Sequence, residues 1–266
     1  MPARAPIVVI PARLRSNRLP GKALAEINGR PMVVHVFERA CAAAVGPVVV
    51  ATDAPEIARA VEAVGGKAAL TRADHVCGSD RVGEAVRTLD PQGRYDAVIN
   101  LQGDQPFLPD GALKAALALL DDTSVDIGTL ACPARPEDAD DPNAVKLVGA
   151  ALAPRRLRAL YFTRAPAPYG EGPRVKHIGV YAFRRAALER FLALPPSPLE
   201  LRERLEQLRA LEAGMRIDAA LLDKASPSVD TERDLRALRA AAPKDESDSI
   251  YRLSGRARRK FGPHLP

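Results

Sequence analysis

The chain has 266 residues, 47% of them hydrophobic, with a formal net charge of +6 and a sequence pI near 9.4. That length suits one large or two small globular domains, and no apolar run approaches the roughly 20 residues of a membrane span. With no tryptophan and 4% aromatic residues there is no base-stacking surface, so the basic balance points to an anionic small molecule and a basic tail rather than to nucleic acid. The tail cations are Arg252, Arg256, Arg258, Arg259 and Lys260, and a second cluster is Arg155, Arg156 and Arg158. Residues 1–6 run straight into an apolar stretch, so no signal peptide is expected. Cys41, Cys77 and Cys132 are widely spaced, which fits a reducing cytoplasm and not a cysteine metal site.

Ile7-Val8-Val9-Ile10 is short, β-branched and bounded by Pro11, which predicts a buried strand. The loop behind it carries Arg13, Arg15, Arg18 and Lys22 and no acid. Most basic loops are simply solvated. This one is punctuated by Pro20-Gly21 and by Gly29-Arg30-Pro31, which restrict the backbone. At the carboxyl end of the first strand of an open α/β sheet it would be placed to hold a polyphosphate. Neither a Walker-type loop nor Gly-x-Gly-x-x-Gly follows the strand, so the phosphates would be met by another arrangement of side chains and amides.

A helix is expected over 32–44, a strand over 48–51 and a helix over 56–64, stopped by Gly65-Gly66. A short strand at 68–70, a polar loop at 71–79 and a helix over 80–89 follow. Next come a strand at 96–101, a helix at 113–120, and strands at 126–132 and 144–148 separated by the acidic stretch 137–141. This alternation predicts an α/β fold with a doubly wound, mainly parallel sheet. From about residue 155 the pattern changes. Strands are expected at 160–162, 177–183 and 215–222, a short helix at 188–193, and one long amphipathic helix over 199–213. A last helix covers 232–241, and the segment after Pro243 reads as a disordered basic tail. The division expected is thus 1–242 as one domain and 243–266 as the tail.

Gln102-Gly103-Asp104 directly follows a buried strand, at the edge where α/β sheets bind ligands. An aspartate beside a polyphosphate is best explained by a divalent cation, and magnesium on phosphates takes one or two protein carboxylates. Asp230, in Val229-Asp230-Thr231, is the natural second carboxylate and reads equally as a helix N-cap. Taken alone, Asp104 also fits a turn. His177, at a strand start, fits a structural histidine, and Tyr181 fits core packing.

An ordered set of segments resembles the 3-deoxy-manno-octulosonate cytidylyltransferase (CMP-Kdo synthetase) family. The set is Ile10-Pro11-Ala12-Arg13, Arg18-Leu19-Pro20-Gly21-Lys22, Ala51-Thr52-Asp53, Gly78-Ser79-Asp80-Arg81 and Gln102-Gly103-Asp104. It continues through Ala159 to Pro166, His177 to Tyr181, Pro196 to Glu200, Leu205 to Arg209 and Val229-Asp230-Thr231, from about residue 6 to residue 240. The resemblance implies a Rossmann-like nucleotidyltransferase fold with a small sugar-binding and dimerisation part at about 155–222. It implies a cytoplasmic homodimer that uses CTP, Kdo and Mg2+ to make CMP-Kdo and pyrophosphate for lipopolysaccharide. By the same resemblance, Ala12, Arg13, Arg18, Lys22, Ser79 and Arg81 would hold CTP, with Arg13, Lys22 and Asp104 at the reacting centre. Asp104 and Asp230 would hold the metal. Arg164 would answer the sugar carboxylate, and Gln102, His177, Tyr181, Glu206 and Gln207 would read its hydroxyls.

Many family members carry glutamate at the positions of Gln105 and Asp80. Neighbouring readings are a cytidylyltransferase for 8-amino-Kdo or a sialic acid, and, remotely, a non-enzymatic nucleic-acid binder. Sialate-activating relatives usually have a Gly-rich first loop without Arg-Leu-Pro-Gly-Lys, which disfavours them here.

Overall fold

The computed structural model describes residues 4–15, 19–224, 229 and 231–241. They fall into two compact units, one of residues 6–15, 19–89, 101–110, 229 and 231–241, the other of residues 4–5, 90–100 and 111–224.

In the first unit the parallel strands run in the order β5 (Lys67–Leu70), β4 (Val48–Thr52), β1 (Pro6–Ala12). Ile7 to Ile10 are buried on both faces of β1, as a continuous β-branched run requires. The strand does not stop at Pro11. It continues to Ala12, with Pro11 in register with Ala51 and Ala12 with Thr52, because a proline near a strand end forgoes only one ladder bond. Helices α1 (Met32–Ala42), α2 (Pro55–Glu62) and α3 (Gly78–Leu89) lie where the apolar periodicity puts them. A two-stranded ribbon, β2 (Glu26–Ile27) with β3 (Arg30–Pro31), closes the turn before α1.

The last helix of the chain, α8 (Glu232–Ala241), completes this unit. Leu235 and Leu238 pack with Val229, Leu19, Ile27 and Met32 in one buried cluster. Thr231 caps α8: its hydroxyl and amide reach Asp234 Oδ2, and the Asp234 amide donates back to Thr231 Oγ1.

In the second unit the order is β6 (Ala97–Leu101), β10 (Val175–Arg184), β7 (Ile127–Pro133), β11 (Ile217–Leu221), β9 (Arg156–Thr163), β8 (Lys146–Ala153). Here β7 and β11 are parallel, whereas β7–β10, β9–β11 and β8–β9 are antiparallel. Helix α4 (Ala112–Ala118) lies close on β7 at Gly128, where an added Cβ would sit 2.3 Å from the Ala116 carbonyl oxygen. Helix α5 (Arg185–Ala193) follows β10.

The single long helix expected over 199–213 is two helices, α6 (Pro198–Glu203) and α7 (Gln207–Glu212). Arg204 between them is left-handed, with φ 55°. The carbonyls that a continuing helix would bond internally are taken by a side chain, since Arg164 Nε donates to Glu203 O at 2.8 Å and Nη2 to Arg204 O at 3.4 Å. Two members of the Arg155, Arg156 and Arg158 cluster are paired with carboxylates. Arg156 bonds Asp218 Oδ2 and Asp122 Oδ2, both at 2.7 Å, and Arg155 bonds Asp223.

Candidate active site

The first unit holds Ala12, Arg13, Lys22, Ser79, Arg81, Gln102 and Asp104, with Arg13 directly after β1 and Gln102 directly after β6. Arg13 is exposed and Ala12 buried. Gly21, at φ 68°, turns the chain so that Lys22 opens a short 3-10 turn, Lys22–Leu24. Lys22 Nζ then reaches Asp104 Oδ2 at 3.1 Å, with side-chain exposures of 16% and 25%, so neither group is sealed from an incoming ligand. The Val229 amide donates to the Asp104 carbonyl at 3.2 Å, which seats the chain just before Asp230 beside Asp104. Asp230 and Arg18 themselves lie outside the described residues.

The loop behind β1 is held by a relay that sequence reasoning missed. Arg81, 3% exposed, donates from Nη2 to Asp53 Oδ2 at 3.1 Å and from Nη1 to Thr71 Oγ1 at 2.5 Å. Asp53 Oδ1 in turn accepts the Leu14 amide at 3.3 Å. Arg81 thus acts on the loop behind β1 through Asp53, a residue present in the Ala51-Thr52-Asp53 segment but given no role there. Ser79 is fully buried in the first turn of α3. Gly78 lies under Gln102, whose Nε2 would stand 3.4 Å from an added Cβ, and Gly103 lies under the Pro11 carbonyl at 3.2 Å. At Gly103 the approach to backbone is tight, so the glycine lets the 101–110 segment close on the end of β1. Gln105 is buried, and its Oε1 has no donor among the described residues.

The second unit holds Arg164, His177, Tyr181, Glu206 and Gln207. A bulge lies in β10 between Ile178 and Tyr181. Thr129 Oγ1 donates its single proton to the Val180 carbonyl at 2.7 Å and lies 2.9 Å from His177 Nε2. His177 Nε2 must therefore be the donor, and Nδ1 keeps a free lone pair. Desolvation pulls the His177 pKa down to about 3, so the ring is neutral at physiological pH. His177 stacks edge-on with Phe162 at 4.9 Å and lies 5.4 Å from Tyr181.

Arg164 caps the end of α6 with Nε and Nη2, while Nη1 bonds the Pro142 carbonyl at 2.8 Å. Glu203, unassigned from sequence, accepts from Thr163 Oγ1 at 2.7 Å and from the Arg164 amide at 2.9 Å. Gln207, at the start of α7, is buried, and its Nε2 has no acceptor among the described residues.

Among the described residues no group of three or more His, Cys, Asp or Glu side chains could hold a metal by itself. Asp104, a quarter exposed beside a lysine, fits the other type of site, in which magnesium rides on substrate phosphates and takes one or two protein carboxylates.

Parallel strands with a cationic loop behind β1 and a carboxylate next to it fit an α/β nucleotidyltransferase. The comparisons with known proteins agree. A family model described as Cytidylyltransferase matches residues 7–217. The 3-deoxy-manno-octulosonate cytidylyltransferase of Methylobacterium radiotolerans is 60% identical over 236 residues, covering 88% of this chain and 96% of that protein. Its counterpart in Rhodopseudomonas palustris is 58% identical over 242 residues, 91% of this chain and 99% of that protein. A solved structure of CMP:2-keto-3-deoxy-manno-octonic acid synthetase complexed with CTP superposes with a TM-score of 0.81 at 41% identity, covering 89% of this chain and 97% of that one. The chain belongs to the 3-deoxy-manno-octulosonate cytidylyltransferase family.

Proposed function

We infer that this enzyme transfers CMP from CTP to Kdo, releasing pyrophosphate. The observation that carries the reading is the Lys22–Asp104 pair at 3.1 Å behind β1, a cation for phosphate and an anion for metal held side by side. Arg13 and Lys22 hold the triphosphate, with Arg18 beside them, and charge-assisted bonds to phosphate oxygens fix its geometry. Ala12 and Ser79 complete the nucleotide site, and Arg81 keeps its loop in place through Asp53. Bound Mg2+ would be held by Asp104 and Asp230, and its chemistry is to neutralise charge on the phosphates and polarise the α-phosphate. The anomeric hydroxyl of the sugar attacks the α-phosphorus and pyrophosphate leaves in line, so placement supplies much of the rate.

Kdo is a carboxylate rich in hydroxyls. Arg164 takes the carboxylate, while Gln102, His177, Tyr181, Glu206 and Gln207 take hydroxyls. His177 Nδ1, the acceptor nitrogen of that tautomer, and Gln207 Nε2, without an acceptor among the described residues, offer one acceptor and one donor. The same reading makes the enzyme a cytoplasmic homodimer that supplies lipopolysaccharide synthesis, and exposed Leu152, Leu160 and Leu201 suit a subunit contact.

The test is pyrophosphate release from CTP with Kdo and Mg2+. Asp104→Asn should lower kcat by at least about a hundredfold, with little change in thermal stability because the side chain is not a core group. Unchanged turnover would remove Asp104 from the metal site. Turnover of 8-amino-Kdo or a sialic acid, with none of Kdo, would reassign the sugar.

A further inference from the structure

Lys146, on β8, is fully buried. Burying an ammonium is costly unless it is well paired. Among the described residues its hydrogen-bonding partner is one main-chain carbonyl, Asp141 O, at 2.8 Å. Burial lowers its pKa, Asp141, Asp140 and Asp138 raise it, and Arg164 lowers it. The β-sheet register explains this company. Lys146 pairs with Thr163 on β9, the residue before Arg164, and with Lys176 on β10.

The acidic stretch seen in the sequence is the counterpart of these cations. Lys176 and Arg135 bind the buried Asp138. Asn143 bonds Asp141 Oδ1 through its amide and side chain, closing a tight turn. The two carbonyls exposed by that turn are consecutive: Asp141 O takes Lys146 and Pro142 O takes Arg164 Nη1, each at 2.8 Å. With Glu203 O and Arg204 O on its other edge, the Arg164 guanidinium is clamped between two segments, and among the described residues its remaining N–H groups meet no further acceptor.

We propose that Lys146 is a positioning residue for the acceptor sugar: by fixing the Asp141–Pro142 peptide it orients the Arg164 guanidinium toward the sugar carboxylate. The proposal rests on the acceptor role given above to Arg164. Lys146 itself, sealed in the sheet, does not touch the substrate.

The test measures KM for Kdo and for CTP, with Mg2+ and both substrates, in Lys146→Met, Arg164→Met and the double variant. Lys146→Met should raise KM for Kdo about tenfold and leave KM for CTP within about twofold. In the Arg164→Met background it should add less than about twofold, because a residue that acts through the guanidinium has nothing left to orient. An unchanged KM for Kdo in Lys146→Met, or effects that multiply in the double variant, would overturn the proposal while leaving Arg164 in place. An unchanged KM for Kdo in Arg164→Met would overturn the acceptor role of Arg164, and the proposal with it. Should Lys146→Met fail to fold, Lys146→Gln carries the same comparison, since it removes the charge with a smaller change in polarity.

Discussion

His177 donates to Thr129, which donates to the carbonyl inside the β10 bulge, so protonating the ring adds charge to a desolvated position without adding a needed bond. Its pKa in the fold is about 3, against an ordinary 6.5. Between those values the unfolded chain binds more protons than the folded one, so stability falls as pH falls through that window. From pH 7 to pH 5 the linkage amounts to about 2 kcal/mol. Urea unfolding at the two pH values should give that loss for the wild type and a smaller one for His177→Gln. Equal losses would place the acid sensitivity elsewhere. At this scale the sequence exposed the residues whose type is unusual for their place, such as Lys22 and Asp104. It did not expose Asp53, Glu203 or Lys146. Each of these acts through a partner far along the chain: Asp53 on Leu14, Glu203 on Thr163 and Lys146 on a carbonyl in the acidic turn, reached only by strand register.

Elements were legible where one segment's own pattern decides its structure. Buried β-branched runs became strands, and the last helix begins and ends where its cap and periodicity put it. The stretch 199–213 was misread because its leucine spacing is helical throughout, while its middle carbonyls belong to Arg164. Leu201 is accordingly 67% exposed, whereas Leu208 is fully buried. Antiparallel pairings in the second unit were equally hard to foresee, since register there depends on neighbours distant in sequence. The close seat of α4 on β7 yields a direct test. At Gly128 a methyl group would meet Ala116 O at 2.3 Å and Leu119 Cβ at 3.2 Å, and backbone yields less easily than a side chain. Gly128→Ala should cost about 1–3 kcal/mol by urea unfolding. A loss below about 0.5 kcal/mol would mean that the helix shifts freely on the strand.

Over the whole molecule, the residues proposed for CTP belong to one unit and most of those proposed for the sugar to the other. Ligand binding stabilises what it touches, by about 2.7 kcal/mol at a hundred times Kd. CTP with Mg2+ should therefore slow amide exchange first in β1, α3 and the 101–110 segment, and leave the β8–β9 hairpin unchanged. Equal slowing in both would mean that the units open together. The chain path adds a dimension of time. Residues 90–100 and 111–224 form a unit whose last strand is made before the other unit has its final helix. The cluster formed by Leu19, Ile27 and Met32, in and after the loop behind β1, waits for Val229, Leu235 and Leu238. Domains fold as they leave the ribosome. During synthesis the part of the protein that is started first is therefore the part finished last, and a nascent chain stopped short of α8 leaves Leu19, Ile27 and Met32 without half of their apolar cluster.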